Sequence, residues 1–154
     1  MHRRHFLKVA AMVLGSEPYR SNAAKADPWS GSELMEPAVL AEILRRGESP
    51  LILCVGFPVL YRQKHIAHAR LAGPASKPEG AAALKQSVAA LPKNTKIVIY
   101  CGCCPMPECP NLRPGFSLLK GMGYTDLHAL NLPTNFRTDW ADKGNPVESS
   151  LSSG

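Results

Sequence analysis

Long apolar runs are missing from this 154-residue chain: no stretch of eighteen or more apolar residues occurs, which excludes a bilayer-spanning helix. Also missing are a Gly-x-y period, a sustained heptad and any internal repeat, so the collagen-like and coiled-coil classes fall away. Disorder is excluded by the opposite observation, because 45% of residues are hydrophobic and only 19% charged. The length fits one globular domain around one core and leaves no room for two.

A basic stripe interleaved with aromatics is absent too, despite a formal net charge of +6. Residues 1–26 hold Arg3, Arg4, Lys8, Arg20 and Lys25 against Glu17 alone, which leaves 13 basic and 11 acidic residues in the rest. The remainder is close to neutral, so nucleic-acid binding is not indicated.

The N-terminal excess has the layout of an address. A basic head is followed by a modest apolar stretch from Phe6 to Leu14, a polar spacer over Ser16–Asn22, and Ala24-Lys25-Ala26, whose small residues suit a signal peptidase. Within the head, Arg3-Arg4-His5-Phe6-Leu7-Lys8 resembles the twin-arginine export signal. The resemblance implies a signal peptide over residues 1–26, Asp27 as the first mature residue, a periplasmic location and the twin-arginine translocase as a partner during export.

In the mature part, Pro37 at a tolerated first-turn position, Leu40, Ile43 and Leu44 at helical spacing, and Gly47 after Arg45-Arg46 predict a helix. Leu51–Val55 is a continuously apolar run between Pro50 and Gly56, which predicts a strand buried on both faces. Tyr61 to Ala69 reads as a polar loop, and Pro78 to Leu91 as an Ala-rich helix ended by Pro92 and Asn94. Lys96–Tyr100 predicts a second buried strand, with Cys101 at its carboxyl end. Asn111 is placed to cap a helix reaching about Lys120, with Pro114 inside its first turn and Gly121 and Gly123 after it. Asp126–Leu130 gives a third strand, followed by a loop-rich segment from Leu132 to Val147. Strands alternating with helices predict an α/β fold with a parallel sheet flanked by helices on both faces, reactive groups gathering beyond the carboxyl strand ends. Residues 27–148 form that domain, and 149–154 a loose tail.

A thiol at a strand end, before a loop that opens a helix, meets backbone N–H groups and the positive end of the helix dipole, both of which favour thiolate. Cys101, Gly102 with its conformational freedom, and the helix start near Asn111 with Arg113 in its first turn supply those parts. Here the chain resembles the rhodanese-like domains, a single-domain sulfurtransferase family. The likeness rests on Leu51–Val55 followed by Tyr61-Arg62-Gln63-Lys64-His65-Ile66 and Ala69, and on Ile97-Val98-Ile99-Tyr100-Cys101, which matches the strand ending in the active cysteine. Leu118-Leu119 with Gly123-Tyr124, and Trp140 near the end, extend it over about residues 32–148.

The resemblance implies a sulfurtransferase whose Cys101 carries sulfane sulfur as a persulfide. Gly102, Cys103 and Cys104 would surround the sulfur, and Arg113 would attract an anionic donor such as thiosulfate. The partners implied are a small sulfur donor and a thiol or cyanide acceptor, with no cofactor and no metal. The chain departs from the family pattern in two places. Cys54-Val55-Gly56 stands where Asp-Val-Arg is common, and the stretch from Cys101 to Asn111 is longer than the usual active loop, with Met106 at the position of an anion-binding arginine.

Four of the five cysteines fall in that loop and leave other chemistries open. Cys101-Gly102-Cys103-Cys104 contains a Cys-x-x-Cys pair suited to thiol–disulfide exchange, and the same thiolates suit a soft ion such as Cu(I) or Zn(II), although a second Cys-x-x-Cys knuckle is missing. A disulfide from Cys103 or Cys104 to Cys109 would only pin the loop. Cys54 reads as an inert core thiol, His65 and His68 as structural, and Trp140 as packed beside solvated Asp139 and Asp142.

Overall fold

The proline and glycine punctuation seen in the sequence sets the element boundaries of the computed structural model, which describes residues 26–151. The first strand, β1, is Leu34–Met35, and α1 spans Pro37–Arg45 with Pro37 in its first turn. Gly47 ends α1 with a φ of +79°, while the Glu48 N–H bonds to the Ile43 carbonyl at 3.2 Å, the αL stop that glycine makes without strain. The buried strand β2 is Leu51–Cys54. The Tyr61–Ala69 segment expected to be a polar loop instead holds the end of helix α2 (Pro58–Gln63) and strand β3 (His65–Ile66), and strand β4 (Arg70–Leu71) follows it. Pro58 starts α2 at the first helical position, a cue that precedes the stretch read as loop.

Helix α3 covers Pro78–Val88, ending three residues before the expected Leu91, and β5 is Ile97–Tyr100. Helix α4 runs Leu112–Gly121, β6 is Leu127–Leu130, and the loop-rich end contains α5 (Phe136–Asp139) and β7 (Val147–Glu148). Asn111 stands at the start of α4 but makes no capping hydrogen bond, contrary to expectation. Ser149 and Ser150, assigned to the tail, both bond to the Arg62 carbonyl. Residues 1–25, which hold nearly all of the expected signal peptide and its twin-arginine-like motif, lie outside the described residues.

Five strands form one parallel sheet in the order β1-β6-β5-β2-β4. A separate antiparallel pair joins β3 to β7, opposing Ile66 to Val147. Strand alternation divides the core in two. Leu53, Val55, Ile97, Ile99, Leu127 and Ala129 face α3 and α4, meeting Leu84, Val88, Phe116 and Leu119. Ile52, Cys54, Val98, Tyr100 and Leu130 face the other way, against Leu40, Ala41 and Ile43 of α1 and the fully buried Trp140. The helices thus cover both faces, as the sequence predicts. No helix among the described residues is long and apolar enough to cross a membrane.

The strand order also locates the place where ligands gather. From β2 the chain moves outward to β4, whereas from β5 it moves the opposite way to β6, so the loops after these two adjacent central strands diverge. A crevice at such a topological switch point is a recurrent binding place in open parallel sheets.

Candidate active site

Strand β5 carries alternating side chains to the two faces, so Cys101, next after Tyr100, points to the α3/α4 side just beyond the strand end. Gly102 then turns the chain with a φ of +78°, and a Cβ there would lie 2.7 Å from the Cβ of Phe136. Both the backbone angle and the close packing require glycine at this turn. The loop passes through Cys103 and Cys104, a short 3-10 turn at Met106–Glu108, and Cys109 before entering α4.

Folding the loop gathers its sulfurs. The Cys101 and Cys103 Sγ atoms are 3.2 Å apart and those of Cys103 and Cys104 2.9 Å apart, while Cys101, Cys103 and Cys109 lie within 4.8 Å of one another. All five cysteines are free thiols, so the loop-pinning disulfide is absent. Cys101 and Cys109 are buried, whereas Cys103 and Cys104 are partly open.

The surroundings treat these thiols differently. Cys109 is pulled down to about 6, first by the Cys101 thiol donating to its sulfur and then by the backbone N–H groups of Asn111 and Leu112, which outweigh its burial. Cys101 is pushed strongly up, chiefly because its proton is held by the Cys109 sulfur, with burial adding to the effect. Cys104 is also raised, first by burial. The backbone N–H groups at the α4 N-terminus thus favour thiolate at Cys109, while burial and the neighbouring sulfur favour thiol at Cys101. Cys54, the buried last residue of β2 at the base of the same cleft, is pushed up to about 11 by desolvation, which keeps it a thiol.

Asn111 has a role that its sequence position does not announce. Completely buried, it accepts a bond from the Ser76 N–H at 3.0 Å and directs its amide N–H to the Cys101 Sγ at 3.6 Å. Its side chain ties the loop before α3 to the sulfur cluster instead of capping α4. Gly56 is a second such residue: a Cβ there would sit 2.8 Å from the Cys101 carbonyl oxygen and 3.1 Å from its Sγ. The glycine leaves that space to Cys101 and its carbonyl.

A cleft of about 590 Å³ opens over the cluster, lined among others by Cys101, Gly102, Cys103, Phe136, Lys64 and Arg137. Cys101, Gly102 and Cys103 thus share the wall of the cleft, with Cys104 against Cys103. Arg113 does not join them. Its guanidinium is paired with Asp27 at 2.5 Å, donates to the Pro107 carbonyl at 2.8 Å and lies over the Trp29 ring. The cations on the cleft are instead Lys64, which follows α2 within the Tyr61–Ile66 stretch already singled out, and Arg137 of α5, which no sequence motif marked.

The remaining histidines and the Trp140 region serve the framework. His65 is buried, stacked on Tyr61 and bonded to the Tyr61 carbonyl at 2.7 Å. Its neighbour Ile66 donates its N–H to the Tyr100 hydroxyl at 3.2 Å, fastening the His-Ile segment to the strand that carries the cysteine. Trp140 donates to the Pro146 carbonyl at 2.9 Å, and Asp139 accepts from the Thr134 and Asn135 N–H groups.

No protein-family model and no curated protein matches the chain in sequence. Solved structures do match in shape. The rhodanese-like domain of the Alr3790 protein from Anabaena is similar at 22% identity with a TM-score of 0.57, over 79% of this chain and 83% of that one. The BH2092 protein from Bacillus halodurans is similar at 19% identity and a TM-score of 0.60, over 78% and 79%. A thiosulfate sulfurtransferase from Pseudomonas aeruginosa is similar at 17% identity and a TM-score of 0.56, this chain covering only 20% of its length. Parallel sheet, helices on both faces and a cysteine loop beyond the central strand together give this chain the rhodanese-like fold.

Proposed function

We propose that the protein is an exported sulfurtransferase that carries sulfane sulfur as a persulfide on Cys101. The observation that carries this reading is the place of the Cys101 sulfur: beyond β5, at the switch point, on the wall of the cleft. The Cys101 sulfur attacks the outer sulfur of a sulfane donor, the donor S–S bond breaks, and the departing group leaves with the electron pair. The Cys101 proton moves to the Cys109 sulfur, with which it already interacts. A thiol or cyanide acceptor then attacks the outer sulfur, and Cys101 leaves as thiolate. Backbone and Asn111 N–H groups around the cluster hold the charge. Lys64 and Arg137, the latter in a solvent-exposed pair with Asp142 at 3.6 Å on the same cleft, stand where an anionic donor such as thiosulfate would approach, and Arg113 does not.

Intact-mass measurement after incubation with a sulfane donor tests the assignment. One added sulfur is expected in the native chain and in Cys104→Ser, and none in Cys101→Ser. Arg137→Ala should slow loading from thiosulfate more than loading from a neutral polysulfide, and Arg113→Ala should show no such preference. Sulfur transfer retained by Cys101→Ser would rule the proposal out.

The short Cys103 contacts support a second reading, thiol–disulfide exchange through Cys103 with Cys101 or Cys104. That reading predicts loss of two hydrogens on oxidation and equal damage from removing either sulfur of the working pair.

A further inference from the structure

We propose that Cys101, Cys103 and Cys109 form a binding site for a single copper(I) ion. Their three sulfurs lie within 4.8 Å of one another. A metal–sulfur bond of about 2.3 Å in a trigonal array needs sulfurs about 4 Å apart, so the loop has only to widen slightly between Cys101 and Cys103. No histidine or carboxylate joins this group among the described residues, which makes the donor set purely soft.

Two further observations fit an ion here. A void of about 10 Å³ lies against two of the three ligands, Cys101 and Cys109, lined also by Cys104, Met106 and leucine side chains but not by Cys103. Thiols, a thioether and leucines give a water few strong hydrogen-bond partners but surround a soft cation with polarisable sulfur. The second is a set of N–H groups already aimed at the ligating atoms: the Asn111 amide toward Cys101 at 3.6 Å, and the Asn111 and Leu112 backbone toward Cys109. Such outer contacts orient thiolate ligands and offset the net negative charge that three thiolates leave on a monovalent ion.

Three sulfurs also decide between soft ions. Zinc in a structural site takes four ligands in a tetrahedron, and Cys104, the only other cysteine of the loop, is not within the mutual 4.8 Å group. Copper(I) is satisfied by three thiolates. Because Cys101 would be a ligand, copper and a persulfide exclude each other, although the binding site itself does not depend on the sulfurtransferase reading.

The test is anaerobic titration of the reduced full chain with copper(I) against a chromophoric copper(I) chelator, followed by X-ray absorption of the loaded protein. Expected are one copper per chain and a shell of three sulfur scatterers. Removing an outer partner of a metal ligand typically costs 10–100-fold in affinity, so Cys103→Ser and Cys109→Ser should each lose about 100-fold or more. Cys104→Ser should retain binding, and circular dichroism of each variant separates lost ligation from lost folding. The copper-loaded chain should also take up no sulfur from a sulfane donor until the chelator strips the metal. No copper bound by a chain that still loads sulfur would overturn the site while sparing the sulfurtransferase. A four-sulfur shell, or equal loss in Cys104→Ser, would overturn the three-ligand assignment. Copper bound by a chain that never loads sulfur would support the site and count against the sulfurtransferase instead.

Discussion

Gly56 and Asn111 show how little material separates this cysteine from its neighbours. A methyl group at position 56 would meet the Cys101 carbonyl oxygen at 2.8 Å, a backbone atom that cannot rotate away. Gly56→Ala should therefore cost about 1–3 kcal/mol of stability, the usual range for overpacking, and move Cys101 away from the cleft. Thermal unfolding would register the first effect. The rate of persulfide formation by intact mass would register the second, and a variant as stable and as quickly loaded as the native chain would refute the contact. Asn111 belongs to the same scale. It is buried and polar, and both its partners lie far away in sequence, at Ser76 and Cys101, so nothing local distinguishes it from an ordinary helix cap.

Among the elements, the turn before β1 is held by a carboxylate with two partners. Glu33 accepts from the Ser30 N–H at 2.7 Å and from Lys120, at the end of α4, at 2.9 Å. The backbone bond from Ser30, and next the Lys120 contact, hold its carboxyl below the ordinary value of 4.5. A group lowered in the folded state adds stability above its unfolded value, and that stability is lost as pH falls through the folded value. Glu33→Gln should consequently destabilise by up to about 1 kcal/mol at pH 7, the range of an exposed pair. The difference from the native chain should shrink as pH drops below 4.5. Urea midpoints at neutral and acid pH measure this, and a gap that does not change with pH would show that Glu33 acts by packing alone.

For the whole molecule, the N-terminal address and the folded domain meet at Asp27. This residue would be the first after cleavage behind Ala24-Lys25-Ala26, and its carboxylate pairs with Arg113 at the start of α4. Export through the twin-arginine route remains our proposal, supported by the Arg3-Arg4 motif. Replacing both arginines with lysine should leave an uncleaved precursor inside the cell, assayed by fractionation and immunoblot. Unchanged delivery of the double variant would remove that route from consideration. A folded domain exported with its thiols reduced would reach an oxidising compartment carrying four clustered sulfurs, so the mass of the exported protein also reports whether a pair of them has oxidised.

Pattern over short distances was enough to specify much of this architecture. Continuous apolar runs marked β2 and β5, proline and glycine bounded α1, and Cys101 was placed at the end of β5 because a strand end is a local feature. The two-residue strands β1, β3, β4 and β7 carry too few residues for a period to show, and they exist because neighbouring chain offers them hydrogen-bond partners. The same limit governs the site. Composition announced a cysteine-rich loop, but only folding brought Cys109 within reach of Cys101 and put its sulfur at the α4 N-terminus. Arg113 looked available because it begins that helix; the tertiary structure gave it to Asp27 and Pro107 and turned Arg137 toward the cleft instead. The sequence by itself determined which elements form and where the reactive sulfur stands, since both follow from side chains a few residues apart. Which cation meets a donor was decided by the tertiary structure alone, because Arg113 is held by Asp27 from the other end of the chain, and Lys64 and Arg137, far apart in sequence, meet on the cleft.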